Sequence, residues 1–215
     1  MVVLELFAGS RSIGKAAEDM GHTVISCDIT QFGNIDLVGD ILDIPTQVFK
    51  DLKPDMIWAS PPCTTFSIAS CGTHYEKTEQ GLIPKTAKAL EGLAILQKTL
   101  DIIKECRPQY WFIENPRGLM RKCEKMKGLP RATIWYCKYG DSRAKPTDIW
   151  SNNIANLFNQ NGWLPRAECF NGNKNCHHEA APRGSRTGTQ GLKNNHERSK
   201  IPEQLCKEII QSIDN

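Results

Sequence analysis

The chain has no run of apolar residues long enough to cross a bilayer and no apolar amino-terminal leader, so it reads as a cytoplasmic protein with no membrane partner. It also lacks the even, regularly spaced cysteines of a disulfide framework. Its nine cysteines are scattered and odd in number, which points to reduced thiols that are buried, reactive or metal-bound. Neither net charge nor apolar content is extreme, and 215 residues suffice for one substantial core with a small appendage. The net charge of +3 conceals an asymmetry. Residues 1–115 carry 10 Lys/Arg against 15 Asp/Glu, a balance of −5, and residues 116–215 carry 17 against 9, a balance of +8. A basic half joined to an acidic one suits a polyanion held mainly by the second half, although solvated lysines alone produce the same balance.

What is present is a series of short apolar runs, several of which end in a chemically capable residue. Val2–Leu6 reads as a buried strand, and Phe7-Ala8-Gly9-Ser10-Arg11-Ser12-Ile13-Gly14 as the tight turn into a helix running to about Met20. A strand, a glycine turn and a helix form a nucleotide-type pocket, with free N–H groups at the helix start. The next strand, 22–27, ends at Asp28 with Ile29 beyond it, where an acidic side chain is placed to hold ribose hydroxyls. Gly39-Asp40-Ile41-Leu42 sits where a third strand's end would bring Asp40 to an adenine amino group. Taken singly, Asp28 and Asp40 are more often cap or turn residues; as a spaced set after a glycine turn they favour an adenosyl ligand.

After a short helical segment from Thr46 to Leu52, the run Met56–Ala59 delivers Ser60-Pro61-Pro62-Cys63. Two prolines fix φ and remove two backbone donors, so the chain leaves the sheet in a rigid elbow with Cys63 at a strand's carboxyl end. In isolation such a thiol is more often a buried cysteine after a turn. Residues 64–84 show no sustained period and contain Gly72, Gly81 and Pro84, which predicts a mobile loop over the site. Over 85–106 the positions Ala89, Leu93, Leu96, Leu100 and Ile103 recur at helical spacing and predict a helix packed on the sheet. Tyr110–Ile113 is a buried strand that delivers Glu114-Asn115-Pro116. A carboxyl in a desolvated pocket there gains proton affinity and serves as an acid near neutral pH.

The strand expected at 133–137 precedes a basic loop whose Arg143 and Lys145 are either contacts to a phosphate or base oxygen or solvated surface charges. Residues 151–200 turn rich in Asn and Gly, a small recognition region. Within it Arg183, Arg186, Thr187, Thr189 and Gln190 combine charge and hydrogen-bonding side chains suited to phosphates and base edges, unless the segment is a linker. Cys169, Cys176, His177 and His178, with Cys137, supply candidate ligands for a structural zinc, in a spacing that matches no familiar finger; the set Cys137, Cys169, Cys176 and His178 is the one expected. A last helix from Ile201-Pro202 carries the stripe Leu205, Ile209, Ile213 and is expected to cover the catalytic domain.

In this order the segments resemble the cytosine-5 DNA methyltransferases over residues 1–150 and again near 199–213. Phe7-Ala8-Gly9 looks like that family's cofactor turn, Asp28 like its ribose-binding acid and Gly39-Asp40-Ile41 like its adenine-binding motif. Pro61-Pro62-Cys63 looks like its nucleophile motif, Glu114-Asn115 like the start of its Glu-Asn-Val motif, and Tyr139-Gly140 through Lys145 like its arginine-rich motif. The resemblance implies an α/β, Rossmann-like S-adenosylmethionine-dependent methyltransferase fold with a small irregular recognition region. It divides the chain into a catalytic and cofactor-binding domain (1–150), a recognition region (151–198) and a closing helix (199–215). S-adenosyl-L-methionine would be held by Phe7, Ala8, Gly9, Ser10, Arg11, Ser12, Asp28, Ile29, Asp40, Ile41 and Pro61. Cys63 would be the nucleophile and Glu114, with Asn115, the acid, aided by Arg143 and Lys145. Thr64 and Ser67 would join the basic segment in contacting double-stranded DNA, the protein acting as a monomer on a flipped-out cytosine.

The sequence departs from the family pattern at several places. Arg11-Ser12 replaces a glycine pair, Thr64 a glutamine, Pro116 a valine and Ser199 an asparagine, while Lys145 and Thr147 stand where a double arginine is usual. The recognition region is about fifty residues where relatives carry a domain, which implies a target of about 2 to 4 base pairs. Such a compact enzyme fits a bacterium or its virus, where methylation shields DNA from restriction. An RNA cytosine methyltransferase, a tailoring enzyme for free nucleotides and a non-catalytic DNA-binding module are alternative readings.

Overall fold

The computed structural model describes residues 1–79, 81–179 and 195–214. The first strand, β1 (Val2–Leu6), is followed by α1 (Ser12–Asp19), β2 (Thr23–Asp28), the two-residue β3 (Leu37–Val38), α2 (Thr46–Asp51) and β4 (Met56–Ala59). A single helical turn, α3 (Cys71–His74), leads into the hairpin β5 (Tyr75–Thr78) and β6 (Gly81–Pro84), and then the long α4 (Ala87–Cys106) precedes β7 (Tyr110–Pro116). Two further strands, β8 (Arg131–Trp135) and β9 (Pro146–Ser151), complete the sheet, and α5 (Asn195–Ser199) and α6 (Glu203–Gln211) follow.

The seven-stranded sheet runs β3-β2-β1-β4-β7-β9-β8. The first five strands in that order are parallel, and β9 is antiparallel to both of its neighbours. Strand order reverses at β1, with β2 on one side and β4 on the other, and ligands of such sheets bind outside the carboxyl ends at that switch point. The register aligns Leu6 with Cys27 and Ala59, and Ala59 with Ile113. Phe7, Asp28, Ser60 and Glu114, each one residue further on, therefore share a single edge.

Side chains alternate across the sheet. Val3, Met56, Trp58 and Phe112 pack with residues of α1 and α6, while Leu4, Leu6, Ile57, Ala59 and Ile113 pack with residues of α2 and α4. Both faces are covered, which is why these strands read as unbroken apolar runs. The stripe Leu205, Ile209 and Ile213 is buried as expected, each side chain contributing about 2 kcal/mol. The start of α4 is fixed by the Thr86 hydroxyl, which accepts from the Ala89 N–H at 3.2 Å, and Arg107 ends it in left-handed backbone.

Within residues 64–84, expected as a mobile loop over the site, the described residues hold a turn, a short helix and the hairpin. The N–H groups of Phe66 and Ser67 both donate to the Cys63 carbonyl, at 3.0 and 2.9 Å. Phe66 is buried and stacks on Tyr75 at 6.3 Å, and His74 Nδ1 meets the Thr86 hydroxyl at 2.8 Å, docking the hairpin onto α4. The expected strand 133–137 stops at Trp135, because Tyr136–Tyr139 wind into a 3-10 turn. The last helix starts at Glu203, with Pro202 as its cap.

Beyond β9 the chain stays attached to the core. Trp163 is buried edge-on to Phe112 at 6.5 Å, Asn153 Nδ2 donates to the Ser212 carbonyl, and Arg166 pairs with Glu208. Arg183, Arg186, Thr187, Thr189 and Gln190 lie outside the described residues. Among the described residues no helix is long and apolar enough to cross a membrane.

Candidate active site

The first contributor to the shared edge is the turn after β1. Phe7, Gly9 and Arg11 all adopt left-handed backbone (φ 59°, 46° and 52°), so the chain doubles back tightly before α1. Of the three, only Gly9 does so without steric cost. Asp28 Oδ2 accepts from the Gly9 N–H at 2.9 Å while its Oδ1 accepts from Thr30. Glu5, a residue that sequence reasoning missed, accepts from the Ile13 and Gly14 N–H groups at 3.1 Å each and so caps α1 from inside the sheet. Burial pushes its carboxyl up to about 7, against those hydrogen bonds and the Arg11 charge. A Cβ on Gly14 would stand 2.6 Å from Glu5 Oε2, so only glycine admits the carboxylate. An acidic residue in the middle of an apolar strand, nine positions before a glycine, was the available signal.

The remaining cofactor candidates are arranged around this turn. Ala8 is buried, and Arg11 turns back along α1 to pair with Glu18. Ser12 Oγ meets Ser10 Oγ at 2.7 Å and accepts from the Ile201 N–H at 3.2 Å, tying the loop to the segment that enters α6. Asp40 Oδ1 accepts from Leu42, and the Gly39 N–H donates to the Asp28 carbonyl, which keeps the two acids near each other. Ile29 is 67% exposed beside Asp28, whereas Ile41 is buried in the core behind it. The set fits an adenosyl group: Asp28 and Asp40 retain acceptor sites beyond the bonds they make, and Ile29 offers an apolar face.

The second contributor is the elbow after β4. Trp58 Nε1 donates to Ser60 Oγ at 2.8 Å, and the carbonyl of the buried Pro61 accepts from Asn115 Nδ2 at 2.8 Å, locking the elbow to the end of β7. Cys63 is partly exposed. Burial and the neighbouring Glu114 push its thiol up, while Lys145 and Arg198 pull it back. Thr64 is exposed and Ser67 partly so, its hydroxyl 3.0 Å from that of Ser70.

The third contributor, Glu114, is 6% exposed. Burial raises its carboxyl above the usual range, opposed by Lys145 and by hydrogen bonds from Tyr136 and Ser60. Tyr136, whose hydroxyl lies 3.0 Å from Glu114 Oε1, and Ser60 are further residues the sequence did not single out. Asn115 Oδ1 is buried without a hydrogen-bond partner among the described residues.

The basic loop is the fourth contributor, and neither of its candidates is on the surface. Arg143 is 7% exposed and holds Asp141 with Nε and Nη2 and the Arg198 and Lys200 carbonyls with its terminal nitrogens. Its guanidinium is spent on internal bonds. Lys145 is 6% exposed, with Nζ 4.5 Å from the centre of the Tyr136 ring and 3.5 Å from the Arg198 carbonyl. Burial lowers its proton affinity, while Glu114 and Cys63 restore part of it. A thiol, a carboxyl and an amine thus share one partly desolvated corner.

Cys137, Cys169, Cys176 and His178 also come together, their ligand atoms all within 4.8 Å of one another. A cleft of about 500 Å³ lined by Tyr139, Asp141, Pro202 and Lys207 contains neither Cys63 nor Glu114.

A sequence model of the C-5 cytosine-specific DNA methylase family matches residues 1–129. A probable DNA (cytosine-5)-methyltransferase of frog virus 3 (isolate Goorha) is 32% identical over 164 residues, which cover 71% of each chain. Among solved structures, the Entamoeba histolytica methyltransferase EhMeth is similar with a TM-score of 0.55 at 16% identity, over 79% of this chain and 57% of that one. The S. pombe Dnmt2 methyltransferase is similar with a TM-score of 0.50 at 13% identity, over 70% of this chain and 48% of that one. The chain therefore spans about half the length of these two solved relatives.

Proposed function

Because the chain belongs to the C-5 cytosine-specific DNA methylase family, we propose that it transfers a methyl group to carbon 5 of a cytosine flipped out of double-stranded DNA, with Cys63 as nucleophile and Glu114 as acid. The observation that carries this reading is the meeting of Cys63, Glu114 and Lys145 at the carboxyl edge beside the turn after β1.

Carbon 5 of cytosine is a poor nucleophile. Addition of the Cys63 thiolate to carbon 6 converts the ring to an enamine, and Glu114 stabilises it by protonating ring nitrogen 3. When bound at the turn, S-adenosylmethionine supplies a methyl group on a positively charged sulfur, the electrophile that carbon 5 requires. Loss of the carbon 5 proton to solvent, expulsion of Cys63 as thiolate and return of the nitrogen 3 proton to Glu114 then restore the ring. Tyr136 and Ser60 aim the Glu114 carboxyl, and Lys145 favours the thiolate. Asn115 Oδ1 is an acceptor that the cytosine amino group would satisfy.

In this reading residues 1–150 hold the cofactor and the reacting groups, 151–198 contribute target recognition, and 199–215 brace the cofactor turn through the Ile201 bond to Ser12, all within a cytoplasmic monomer. The zinc expected at Cys137, Cys169, Cys176 and His178 takes no part in the chemistry. Incubation with duplex DNA and labelled methyl donor should place label on cytosine, and Cys63→Ser should reduce transfer at least ~10³-fold. Full turnover by that variant would remove the nucleophile assignment. Preference for transfer RNA over duplex DNA in direct competition would overturn the substrate.

A further inference from the structure

The geometry points to a structural zinc ion held by Cys137, Cys169, Cys176 and His178, which fastens the 169–179 segment onto the loop that carries Arg143 and Lys145. All four ligand atoms lie within 4.8 Å of one another, and Cys169 Sγ is 3.8 Å from His178 Nδ1. Tetrahedral zinc with bonds of about 2.3 Å to sulfur needs ligand atoms about 3.7 Å apart, so a small contraction completes the site. Three thiols and one imidazole from the protein fill the four positions, which is the closed arrangement of structural zinc and leaves no place for a reacting water.

Burial supports the same assignment. Cys137, Cys169 and His178 are 1%, 5% and 8% exposed, with Trp135 and Ala144 the other buried members of their cluster. The 169–179 segment brings little apolar surface of its own to hold it there: Phe170 is 61% exposed, and the remaining side chains are polar apart from its two cysteines. A segment of this kind orders only when something other than a hydrophobic core supplies the free energy, and metal coordination is of sufficient size. The surroundings are those of a thiolate site. Asn173 Nδ2 donates to Cys169 Sγ at 3.4 Å, the outer bond that orients a metal-bound sulfur.

The ion's structural role follows from where the ligands sit in the chain. Cys137 comes directly after Tyr136, whose hydroxyl meets Glu114 at 3.0 Å. The same segment is clipped across the basic loop by the Glu179 N–H to the Ser142 carbonyl at 2.8 Å and by His177 Nε2 to the Asp141 carbonyl at 3.2 Å. Zinc at this position would fix the far side of the loop whose near side carries Lys145 into the reaction corner.

The test uses the full chain purified without a polyhistidine tag. Elemental analysis should find about one zinc per chain, released by a mercurial reagent. Cobalt exchanged into the site should give the intense visible bands of a tetrahedral ion with thiolate-to-metal charge transfer in the near ultraviolet. A strong chelator should lower the melting midpoint by about 5–10 °C. Cys176→Ser, which alters the most accessible ligand, should lose zinc, whereas Cys106→Ser, at the end of α4, should retain it. Zinc below a tenth of an equivalent with a chelator-insensitive midpoint would overturn the proposal, as would a cobalt spectrum without thiolate charge transfer. None of these readouts depends on methyl transfer, so they stand apart from the test of the activity.

Discussion

At the scale of single residues, Lys145 bears on both of the side chains proposed to react. Its charge lowers the proton affinity of both Cys63 and Glu114, yet the proposed turnover needs the first deprotonated and the second protonated. Replacing it by methionine keeps a chain of similar length and removes a buried charge, so folding should tolerate the change. Without the cation both groups titrate at higher pH. Both limbs of the pH–rate profile, which report the thiol and the carboxyl together, should move to the alkaline side, and the rate on the acid limb should fall. A Lys145→Met profile that superimposes on the parent would show that the lysine does not set either group. Cys63 and Glu114 were legible in the sequence because each follows an apolar run: β4 ends four residues before Cys63, and Glu114 comes just past the part of β7 that pairs with β4. Of their neighbours, Tyr136 was not: it reaches Glu114 across 22 positions, a contact that exists only once β9 has placed β8 in the sheet. Lys145 was implied by the resemblance, while its own surroundings left it either a base contact or a solvated charge until Tyr136 and the Arg198 carbonyl enclose it.

At the scale of elements, the turn after Cys63 is the piece that hydrophobic patterning does not reveal. The buried apolar side chains that fix it are few, Phe66 and Tyr75, and β5 and β6 present alternations too short and too polar to register as strands. The long helix and the parallel strands announced themselves through sustained period or unbroken apolarity, whereas the hairpin depends on docking to α4 and on one backbone approach. That approach is at Gly118. The Leu119 N–H donates to the Phe66 carbonyl at 2.7 Å, and a Cβ on Gly118 would stand 2.2 Å from that oxygen. Because the Phe66 and Ser67 N–H groups hold the Cys63 carbonyl, any displacement of Phe66 is transmitted to Cys63. Gly118→Ala should therefore cost about 1–3 kcal/mol, lower the melting midpoint by several degrees, and reduce kcat/KM about tenfold. Affinity for S-adenosylmethionine should stay unchanged, since the turn after β1 lies on other strands. Calorimetric melting beside single-turnover rates would check it; an unaltered midpoint would mean the backbone yields there freely.

At the scale of the whole molecule, the charge asymmetry survives folding. Six ion pairs among the described residues take up six of the 17 cations and six of the nine carboxylates of residues 116–215, through Arg121, Lys127, Arg143, Arg166, Lys200 and Lys207. Equal numbers are removed from each side, so the balance of +8 stands against −5 in residues 1–115. If residues 151–198 are the recognition region proposed above, they have room for few base contacts, each worth about 1–3 kcal/mol of discrimination, so phosphate contacts should supply most of the affinity. Such binding releases counterions, and the logarithm of affinity falls with the logarithm of salt at about 0.9 per phosphate neutralised. With about 4 to 6 phosphates engaged, duplex affinity should drop about 10²- to 10³-fold between roughly 50 and 200 mM salt. Duplexes differing only in cytosine context should lie close together on the same line. Uptake of the methyl donor, proposed to be held at the turn after β1 in the acidic half, should change little over that range. Fluorescence anisotropy with labelled duplex at several salt concentrations measures the slope directly. A slope near zero with retained tight binding would mean that bases or shape, and not the basic half of the chain, hold the DNA.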